Sequence, residues 1–206
     1  MQEKSEIFTF SRKNTQVFIT PNWINLATDE ASIQLLDAEK EDYVALKSEK
    51  RKKEFLLVRY LRNKIFPAKE IKYTSSGAPY FKDKSYSISI SHSPFYVAIA
   101  ATTDVRIGID LELIQEKIIP LGKKFMHLNE ISSVQYNNRL IAYTQFWCAK
   151  EALYKWTNIN GLSFQNDLSV IQDETKNWFG ISNQISQKLI SLEMIEFYDH
   201  ILCFTY

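Results

Sequence analysis

The stretch of the chain with the clearest capacity for chemistry is Arg106–Ile114, RIGIDLELI, in which two acids interrupt an apolar run. Side chains alternate between the two faces of a β-strand, so Gly108, Asp110 and Glu112 would share one face, with the glycine leaving open space beside the carboxylates. The other face would carry four aliphatic residues suited to a core, Ile107, Ile109, Leu111 and Leu113. Two neighbouring carboxylates repel unless a cation lies between them, and Mg²⁺ suits such oxygen ligands. An exposed strand with two solvated acids is the alternative, and this stretch alone does not decide.

A second stretch, Gln145–Trp156 with the sequence QFWCAKEALYKW, adds a carboxylate and an ammonium. Helical spacing places Phe146, Ala149 and Leu153 on a core face and Trp147, Glu151, Tyr154 and Lys155 on another. Three acids and a lysine could hold Mg²⁺ and a polyphosphate, with the lysine neutralising developing charge. The alternative is a Glu151–Lys155 surface pair, which would contribute only about 0.2–0.5 kcal/mol.

Two further segments could contact an anion. Ser91 and His92 begin a Ser-His-Ser-Pro turn between two β-type runs, where they form either a phosphate-binding corner or an ordinary turn. A Ser–His–acid hydrolase is a poor reading, because the two residues are adjacent and no nucleophile-elbow motif is present. Lys47–Lys64 contains eight Lys or Arg residues and two Glu. On a helix, Lys52, Arg59 and Arg62 would share a face, as a basic patch for an anionic ligand or as a solvated surface.

Composition restricts the class of protein that carries these motifs. The chain has 206 residues, 25 basic against 24 acidic, and 14% aromatic residues, which favours a packed globule without a strong nucleic-acid or membrane signal. The longest apolar run, Tyr96–Ala101, is too short to span a bilayer, and the polar N-terminus MQEKSEIFTF does not resemble a signal peptide. Cys148 and Cys203 lack zinc-type spacing, so we expect a reduced, cytoplasmic protein.

The elements that must position these residues follow one pattern twice. A helical stretch over Asp37–Ile65, with a possible break, precedes β-type runs at Lys72–Tyr73, Tyr80–Phe81, Tyr86–Ser91 and Phe95–Ala101. A second helix over Arg139–Thr157 precedes strands at Leu168–Gln172, Trp178–Ser182, Lys188–Phe197 and Ile201–Tyr206. We therefore predict an α+β protein of two similar halves, residues 1–104 and 105–206, each a long helix packed on a small antiparallel sheet. Two halves in one chain favour a monomer.

In chain order, these motifs resemble the 4′-phosphopantetheinyl transferases, specifically the larger single-chain type that activates peptide synthetases. The resemblance covers roughly Lys50–Val170 and includes RYLRNKIF, SSGAPYF, SISHS, IGIDLE, FWCAKEALYK and GLSF. It implies the fold of that family and transfer of the phosphopantetheine arm of coenzyme A to a serine hydroxyl of an apo acyl or peptidyl carrier protein, releasing 3′,5′-ADP. It also implies dependence on Mg²⁺, with Mn²⁺ as a substitute, and no nucleic-acid or membrane partner.

The resemblance also assigns residues. Asp110, Glu112 and Glu151 would be the metal ligands, and Glu151 is the first candidate for the base that takes the serine proton, directly or through a metal-bound water. Asp110, Glu151 and Lys155 would therefore form the catalytic group, with Lys155 beside the transferred phosphate. The residues implied in binding coenzyme A are Lys53, Gly77, Pro79, Ser91, His92, Lys150 and Lys155.

One position departs from the family pattern. The family commonly has Gly-Lys-Pro where this chain has Gly77-Ala78-Pro79, so a lysine that would reach a coenzyme A phosphate is missing. Lys72, Lys82 or Lys84 could compensate, and we expect Ala78→Lys to tighten coenzyme A binding. The departure motivates an alternative function, a catalytically impaired protein of the same fold that binds coenzyme A or a carrier protein.

A further segment could dock the carrier. The run after the acidic strand contains Ile118, Ile119, Leu121, Phe125 and Met126, with Lys123 and Lys124 at its edge. These residues would form either an apolar patch for an acidic carrier helix or, as is more common at such spacing, part of the core. An unrelated metal-dependent phosphodiesterase is a weaker reading, because a two-metal cluster usually needs more histidines than the three present.

Overall fold

The computed structural model of the chain describes residues 7–22, 33–134 and 136–206, except for the side chains at 136, 186 and 187. The helices are α1 (Asp37–Ala45), α2 (Glu49–Ile65), α3 (Gly122–Phe125), α4 (Leu128–Ser133) and α5 (Arg139–Thr157), and a 3₁₀ turn covers Glu116–Leu121. The strands are β1 (Phe8–Arg12), β2 (Thr15–Pro21), β3 (Ile71–Tyr73), β4 (Pro79–Phe81), β5 (Ser87–His92), β6 (Tyr96–Thr102), β7 (Ile109–Leu113), β8 (Leu168–Gln172), β9 (Trp178–Ser182), β10 (Ser186–Phe197) and β11 (His200–Thr205).

The strands form antiparallel sheets. The first has the order β1-β2-β6-β5, the second has the order β7-β11-β10-β9-β8, and β3 pairs with β4. The α+β class with antiparallel sheets is therefore confirmed, whereas the arrangement in two similar halves stays a prediction. The predicted N-terminal half includes residues 1–6 and 23–32, which lie outside the described residues.

Most predicted elements are present, including the possible break in the first helical stretch. Helix α5 and strands β8 and β9 have the predicted bounds, and the first helical stretch divides into α1 and α2. The break has a local cause, because the Ser48 hydroxyl accepts a hydrogen bond from the Arg51 N–H and so begins α2. Strands β1 and β2 were not predicted. They form a hairpin whose second strand pairs with β6, and Val17 and Ile19 of β2 are fully buried.

The core determines which way the acidic strand faces. Ile107, Ile109 and Leu111 lie in an apolar cluster with residues of β2, β6 and β11, as the alternation predicted. A separate cluster lies beneath α5 and includes Phe146 and Ala149. Since the aliphatic face of β7 packs toward the first sheet, its carboxylate face is directed toward α5.

Arg59 and Arg62 of α2 do not form a surface patch. Both are fully buried and pair with the buried carboxylate of Glu39 on α1, at 3.3 Å and 2.8 Å respectively. The predicted basic face is therefore wrong for these two arginines. Their charges hold α1 against α2, and they are not available to an anionic ligand.

Both cysteines are free thiols in the core. Cys148 and Cys203 are buried, and the Cys148 thiol donates a hydrogen bond to the Ile201 carbonyl at 3.3 Å. Within the described ranges, none of the helices combines the length and apolarity needed to cross a bilayer. The cytoplasmic setting stays a prediction.

Candidate active site between β7 and α5

Gly108 sets the distance between the acidic strand and α5. A Cβ atom at this position would lie 1.8 Å from the Ala152 carbonyl oxygen and 2.8 Å from the Trp156 nitrogen. The expected open space beside the carboxylates is therefore wrong, because the backbone of α5 occupies it. The absence of a side chain lets the helix approach the strand closely, which brings the polar side chains of both elements together.

Asp110 lies at the centre of the site and is 4% exposed. Its Oδ1 accepts hydrogen bonds from the Lys155 ammonium at 2.8 Å and from the Ser91 hydroxyl at 2.9 Å. Lys155 also donates to the Ile109 carbonyl at 2.9 Å. Lys155 of α5 thus pairs with Asp110 of β7. The alternative of a surface pair between Glu151 and Lys155 within the helix did not anticipate this contact.

Two serines of β5, Ser89 and Ser91, connect the first sheet to the acidic strand β7 by hydrogen bonds. Ser91 Oγ accepts from the Leu111 N–H at 3.2 Å while it donates to Asp110, and Ser89 Oγ accepts from the Ile109 N–H at 3.2 Å. Both hydroxyls are buried. Ser91 therefore positions Asp110, and its predicted contact with coenzyme A phosphate stays a prediction.

Glu112 is held by an indole. The Trp147 Nε1–H donates to Glu112 Oε1 at 2.9 Å, and the ring of Trp147 packs edge-on against Phe125 with centroids 5.0 Å apart. Burial and the nearby Asp110 carboxylate raise the pKa of Glu112, and the indole hydrogen bond partly offsets this. Helical spacing predicted Trp147 on the same face as Glu151, but its hydrogen bond to Glu112 was not predicted.

Glu151 completes the acidic group from α5. Burial, followed by the charge of Asp110, raises the pKa of Glu151 to about 7, against an opposing effect of Lys155. Burial also disfavours the charge on Lys155, yet Asp110 and Glu151 together raise the pKa of this lysine, so it remains charged at neutral pH. Three carboxylates that influence one another in a partly buried site have an electrostatic need for more positive charge than one lysine supplies.

The residues present fit a Mg²⁺ ion that keeps part of its coordination for water and substrate. Among the described residues, no group of three Asp, Glu, His or Cys side chains is already arranged around a single metal position. However, Asp110 Oδ2 is buried without a hydrogen-bond partner, which is costly for a carboxylate oxygen. Mg²⁺ usually binds only one or two protein carboxylates. The carboxylates of Asp110, Glu112 and Glu151 therefore suit Mg²⁺ better than a metal ion whose ligands all come from the protein.

A cleft leads to Asp110, and we call it the His92 cleft. Its inner part, of 380 Å³, is lined by Asp110, Lys155 and Ser91 together with Lys50 and Arg51 of α2. The outer part, of 650 Å³, shares four residues with the inner part, namely Arg51, Glu54, Ile90 and His92, and extends to Gly77 and Pro79. Five of the predicted coenzyme A residues, Gly77, Pro79, Ser91, His92 and Lys155, therefore line one cleft.

The imidazole of His92 is neutral in this cleft. Desolvation of the ring, with further contributions from Lys155, Arg51 and Lys50, lowers the pKa of His92 to about 4. The residue keeps exposed surface, so its desolvation is partial. A neutral imidazole can still donate one hydrogen bond to a phosphate oxygen.

Two predicted contact residues lie elsewhere. The Lys150 ammonium is buried, where it pairs with Glu130 at 2.7 Å and donates to the Phe164 and Leu168 carbonyls at 2.8 Å and 2.9 Å. Lys53 is exposed on α2 and does not line the described cleft, where the helix contributes Lys50 and Arg51. The Lys150 ammonium is therefore occupied by groups of the protein, and Lys150 is not among the residues that we propose to bind coenzyme A.

The lysines near Ala78 differ in their environment. Lys72 and Lys82 each pair with Glu70 at 3.0 Å. Lys84 lines a cavity together with Ala78. Two of the three lysines that could compensate for Ala78 thus already have a carboxylate partner.

The segment considered for carrier docking is mainly core. Ile118, Phe125 and Met126 are buried in the cluster beneath α5, and Ile119 packs against it. Leu121 is 38% exposed. The core reading of this segment is therefore correct, and the apolar patch it would have supplied is much smaller than the sequence allows.

A family comparison bears on the segment of the chain that contains the acidic group. Residues 106–200 match the 4′-phosphopantetheinyl transferase superfamily model. The matched segment contains Asp110, Glu112 and the whole of α5, and it supports a transferase with this chemistry. No curated protein sequence matches the chain. The finer resemblance to the type that activates peptide synthetases stays a prediction.

Proposed function

We propose that the protein transfers 4′-phosphopantetheine from coenzyme A to a serine hydroxyl of an apo acyl or peptidyl carrier protein in a Mg²⁺-dependent reaction. The observation that carries this proposal is the ion pair between the buried Asp110 and the half-buried Lys155 at the inner end of the His92 cleft. It lies in the segment that matches the superfamily model. Its arrangement meets the main requirement of phosphoryl-type transfer, which is charge neutralisation with fixed positioning.

The His92 cleft suits the anionic part of coenzyme A. Lys50, Arg51 and Lys155 supply positive charge along its inner wall. Glu54 on the same wall lies 3.8 Å from Lys50 and 3.7 Å from Arg51, so an entering phosphate would compete with this carboxylate for the two cations. The neutral His92 imidazole and the Gly77–Pro79 turn line its outer part. A phosphate-rich substrate would therefore enter along basic residues and stop beside the carboxylates, where the reacting pyrophosphate belongs.

Asp110, Glu112 and Glu151 would hold the Mg²⁺ ion. Asp110 Oδ2 offers an unpaired oxygen, and Trp147 fixes the orientation of Glu112. When bound, the ion would neutralise the carboxylates and stabilise charge on the departing nucleotide. Lys155 keeps its position through Asp110 and the Ile109 carbonyl, so its ammonium remains beside the phosphate that is transferred.

Glu151 is the residue we propose to accept the proton of the carrier serine, directly or through water. Its pKa of about 7 makes it a stronger base than an ordinary carboxylate and matches neutral operating conditions. Positive charge arriving in the site would lower this pKa, so proton acceptance and metal binding compete for the same oxygens. Glu151→Gln should therefore abolish transfer in either role while the fold is retained.

The finer features of the proposal concern architecture. We propose that residues 1–104 and 105–206 form two similar halves of a monomer of the larger single-chain type. In support, β2 precedes the α1–α2 pair and hydrogen-bonds to β6, the last strand before β7. Likewise, β7 precedes α5 and hydrogen-bonds to β11, the last strand of the chain.

The test incubates the protein with coenzyme A, Mg²⁺ and a panel of apo acyl and peptidyl carrier proteins, and measures intact carrier masses. We expect one carrier to gain one phosphopantetheine with wild-type protein and none with Asp110→Asn. Glu116→Gln, an exposed acid in the 3₁₀ turn after β7, is the matched control and should transfer normally. Transfer by Asp110→Asn at the wild-type rate would contradict the assigned site.

The alternative is a protein that binds coenzyme A or a carrier protein without turnover. It is favoured by Ala78, which stands where the family commonly has a lysine. Saturable coenzyme A binding in calorimetry, with no mass gain on any carrier, would support this alternative. Ala78→Lys would then be the first variant to test for restored transfer.

A further inference from the structure

A second cavity adjoins the His92 cleft, and we call it the Trp156 cavity. It has a volume of 750 Å³ and lies between the β4–β5 region and the C-terminal end of α5. It shares only Lys155 and Pro79 with the lining of the His92 cleft. A hydrogen bond of 3.3 Å from the Ser76 hydroxyl to Asn158 Oδ1 links the two sides near the cavity.

The charge of the Trp156 cavity has one sign. Its described lining includes Lys84, Arg106 and Lys155 and contains no Asp or Glu. Lys155 is neutralised by Asp110, but the Lys84 ammonium has no ion-pair or hydrogen-bond partner among the described residues. Arg106 uses a guanidinium N–H to donate to the Thr157 carbonyl at 3.1 Å, and no described carboxylate pairs with it. Unpaired cations around a concave surface attract an anion.

The walls of the cavity are aromatic. Tyr80 and Tyr86 are 36% and 37% exposed, respectively, and both line the cavity. Trp156 also lines it, and the Arg106 guanidinium lies 5.3 Å from the centroid of the Trp156 ring. Partly exposed aromatic rings around a cavity of this volume are typical of small-molecule sites, because a planar ligand can pack against them.

We propose that the Trp156 cavity binds a small organic anion that carries an aromatic ring. The ring packs against Tyr80, Tyr86 and Trp156, and the anionic group pairs with Lys84 and Arg106. Nucleotides and aromatic acids share this chemistry. The lining of this cavity includes Lys155 of the carboxylate site but none of its three carboxylates. The proposal therefore does not depend on transferase activity.

The test is calorimetric titration of metal-free protein with 1-naphthyl phosphate, using 1-naphthol and inorganic phosphate as probes of each half. We expect saturable binding of the whole probe and at least tenfold weaker binding of either half. Lys84→Ala and Arg106→Ala should each weaken binding by about threefold to tenfold, as loss of a charge-assisted contact predicts. Lys82→Ala is the matched control, because this lysine pairs with Glu70 and does not line the cavity, and it should bind as the wild type does.

Absence of saturable binding by the wild type, or equal affinity of Lys84→Ala and Lys82→Ala, would overturn the proposal. Lys84 is exposed, so its replacement should not disturb the fold. The comparison of Lys84→Ala with Lys82→Ala therefore remains valid even if Arg106→Ala loosens the end of α5. Competition with 3′,5′-ADP then identifies the source of the ligand. Displacement of 1-naphthyl phosphate would indicate a nucleotide occupant, and binding undisturbed by 3′,5′-ADP would indicate a separate aromatic acid.

Discussion

Glu39 is the buried residue whose loss of charge should lower the stability of the fold most. Its Oε1 lies 3.3 Å from Arg59 Nε and its Oε2 lies 2.8 Å from an Arg62 terminal nitrogen, and all three side chains are fully buried. Glu39→Gln keeps the shape of the side chain but removes the charge between two guanidiniums. Two buried cations would then face each other without a counter-ion.

The expected cost is a large part of the stability of the domain. Removing one partner of a buried ion pair costs about 3–5 kcal/mol, because the remaining charge is uncompensated. Arg59 Nη2 and Arg62 Nε already lack hydrogen-bond partners, so little in the site can absorb the change. We expect a loss near the upper end of this range, against a total of about 5–15 kcal/mol for a typical domain.

Urea unfolding, followed by circular dichroism, measures this loss in free energy. The control is Asp37→Asn, which removes an exposed ion pair with Lys40 from the same helix and should cost less than about 1 kcal/mol. Since Asp42 of α1 and Leu46 line the outer His92 cleft, folded Glu39→Gln should also bind coenzyme A more weakly. If Glu39→Gln and Asp37→Asn lose equal stability, the triad does not hold α1 against α2 and the reasoning fails.

Three further predictions concern the site. Gly108→Ala should lose about 1–3 kcal/mol of stability in urea unfolding, because its Cβ would meet the backbone of α5. Gly180→Ala should lose less, because the nearest atoms to its Cβ belong to the Leu153 side chain, which can shift more easily than a helix backbone. Equal losses would refute the close approach. Trp147→Phe should keep the fold but weaken Mg²⁺ binding about threefold to thirtyfold in calorimetry, because Glu112 loses its indole donor. An unchanged affinity for Mg²⁺ would show that Trp147 does not contribute to the site. Because the pKa of Glu151 rises from 4.5 to about 7 on folding, the folded state binds the extra proton, and the stability of metal-free wild type relative to Glu151→Gln should fall as pH rises across that window. Thermal melts at several pH values test this, a rising difference would contradict it, and added Mg²⁺ should reduce the loss above pH 7.

Local pattern was sufficient for much of the fold. The alternation of Val, Ile and aromatic residues located β8 and β9, and helical spacing located both ends of α5. The aliphatic face of β7 was also predicted correctly, because strand alternation depends only on neighbouring residues. The hairpin of β1 and β2 was missed although its buried residues alternate, since its place beside β6 depends on pairing with a distant strand.

The residues of the site likewise include some features that local pattern predicted and others that depend on packing between distant segments. Residue types and spacing offered Asp110, Glu112, Glu151 and Lys155 as a possible acidic and basic group, and the family resemblance assigned them to one site. Which lysine reaches Asp110 depends on how α5 packs on β7. Lys150 and Lys155 are both basic residues of one helix, but their positions around its axis send one to Glu130 and the other to Asp110.

The basic helix shows the limit of reading charge from sequence. Arg59 and Arg62 have the same charge as Lys50 and Arg51, and no local pattern separates them. Tertiary packing decides, because a buried arginine needs a carboxylate that only the fold can bring, and Glu39 arrives from a different helix. The sequence by itself determined the chemical groups of this protein and most of its elements. The three-dimensional packing alone decided which charges face the cleft and which stabilise the core.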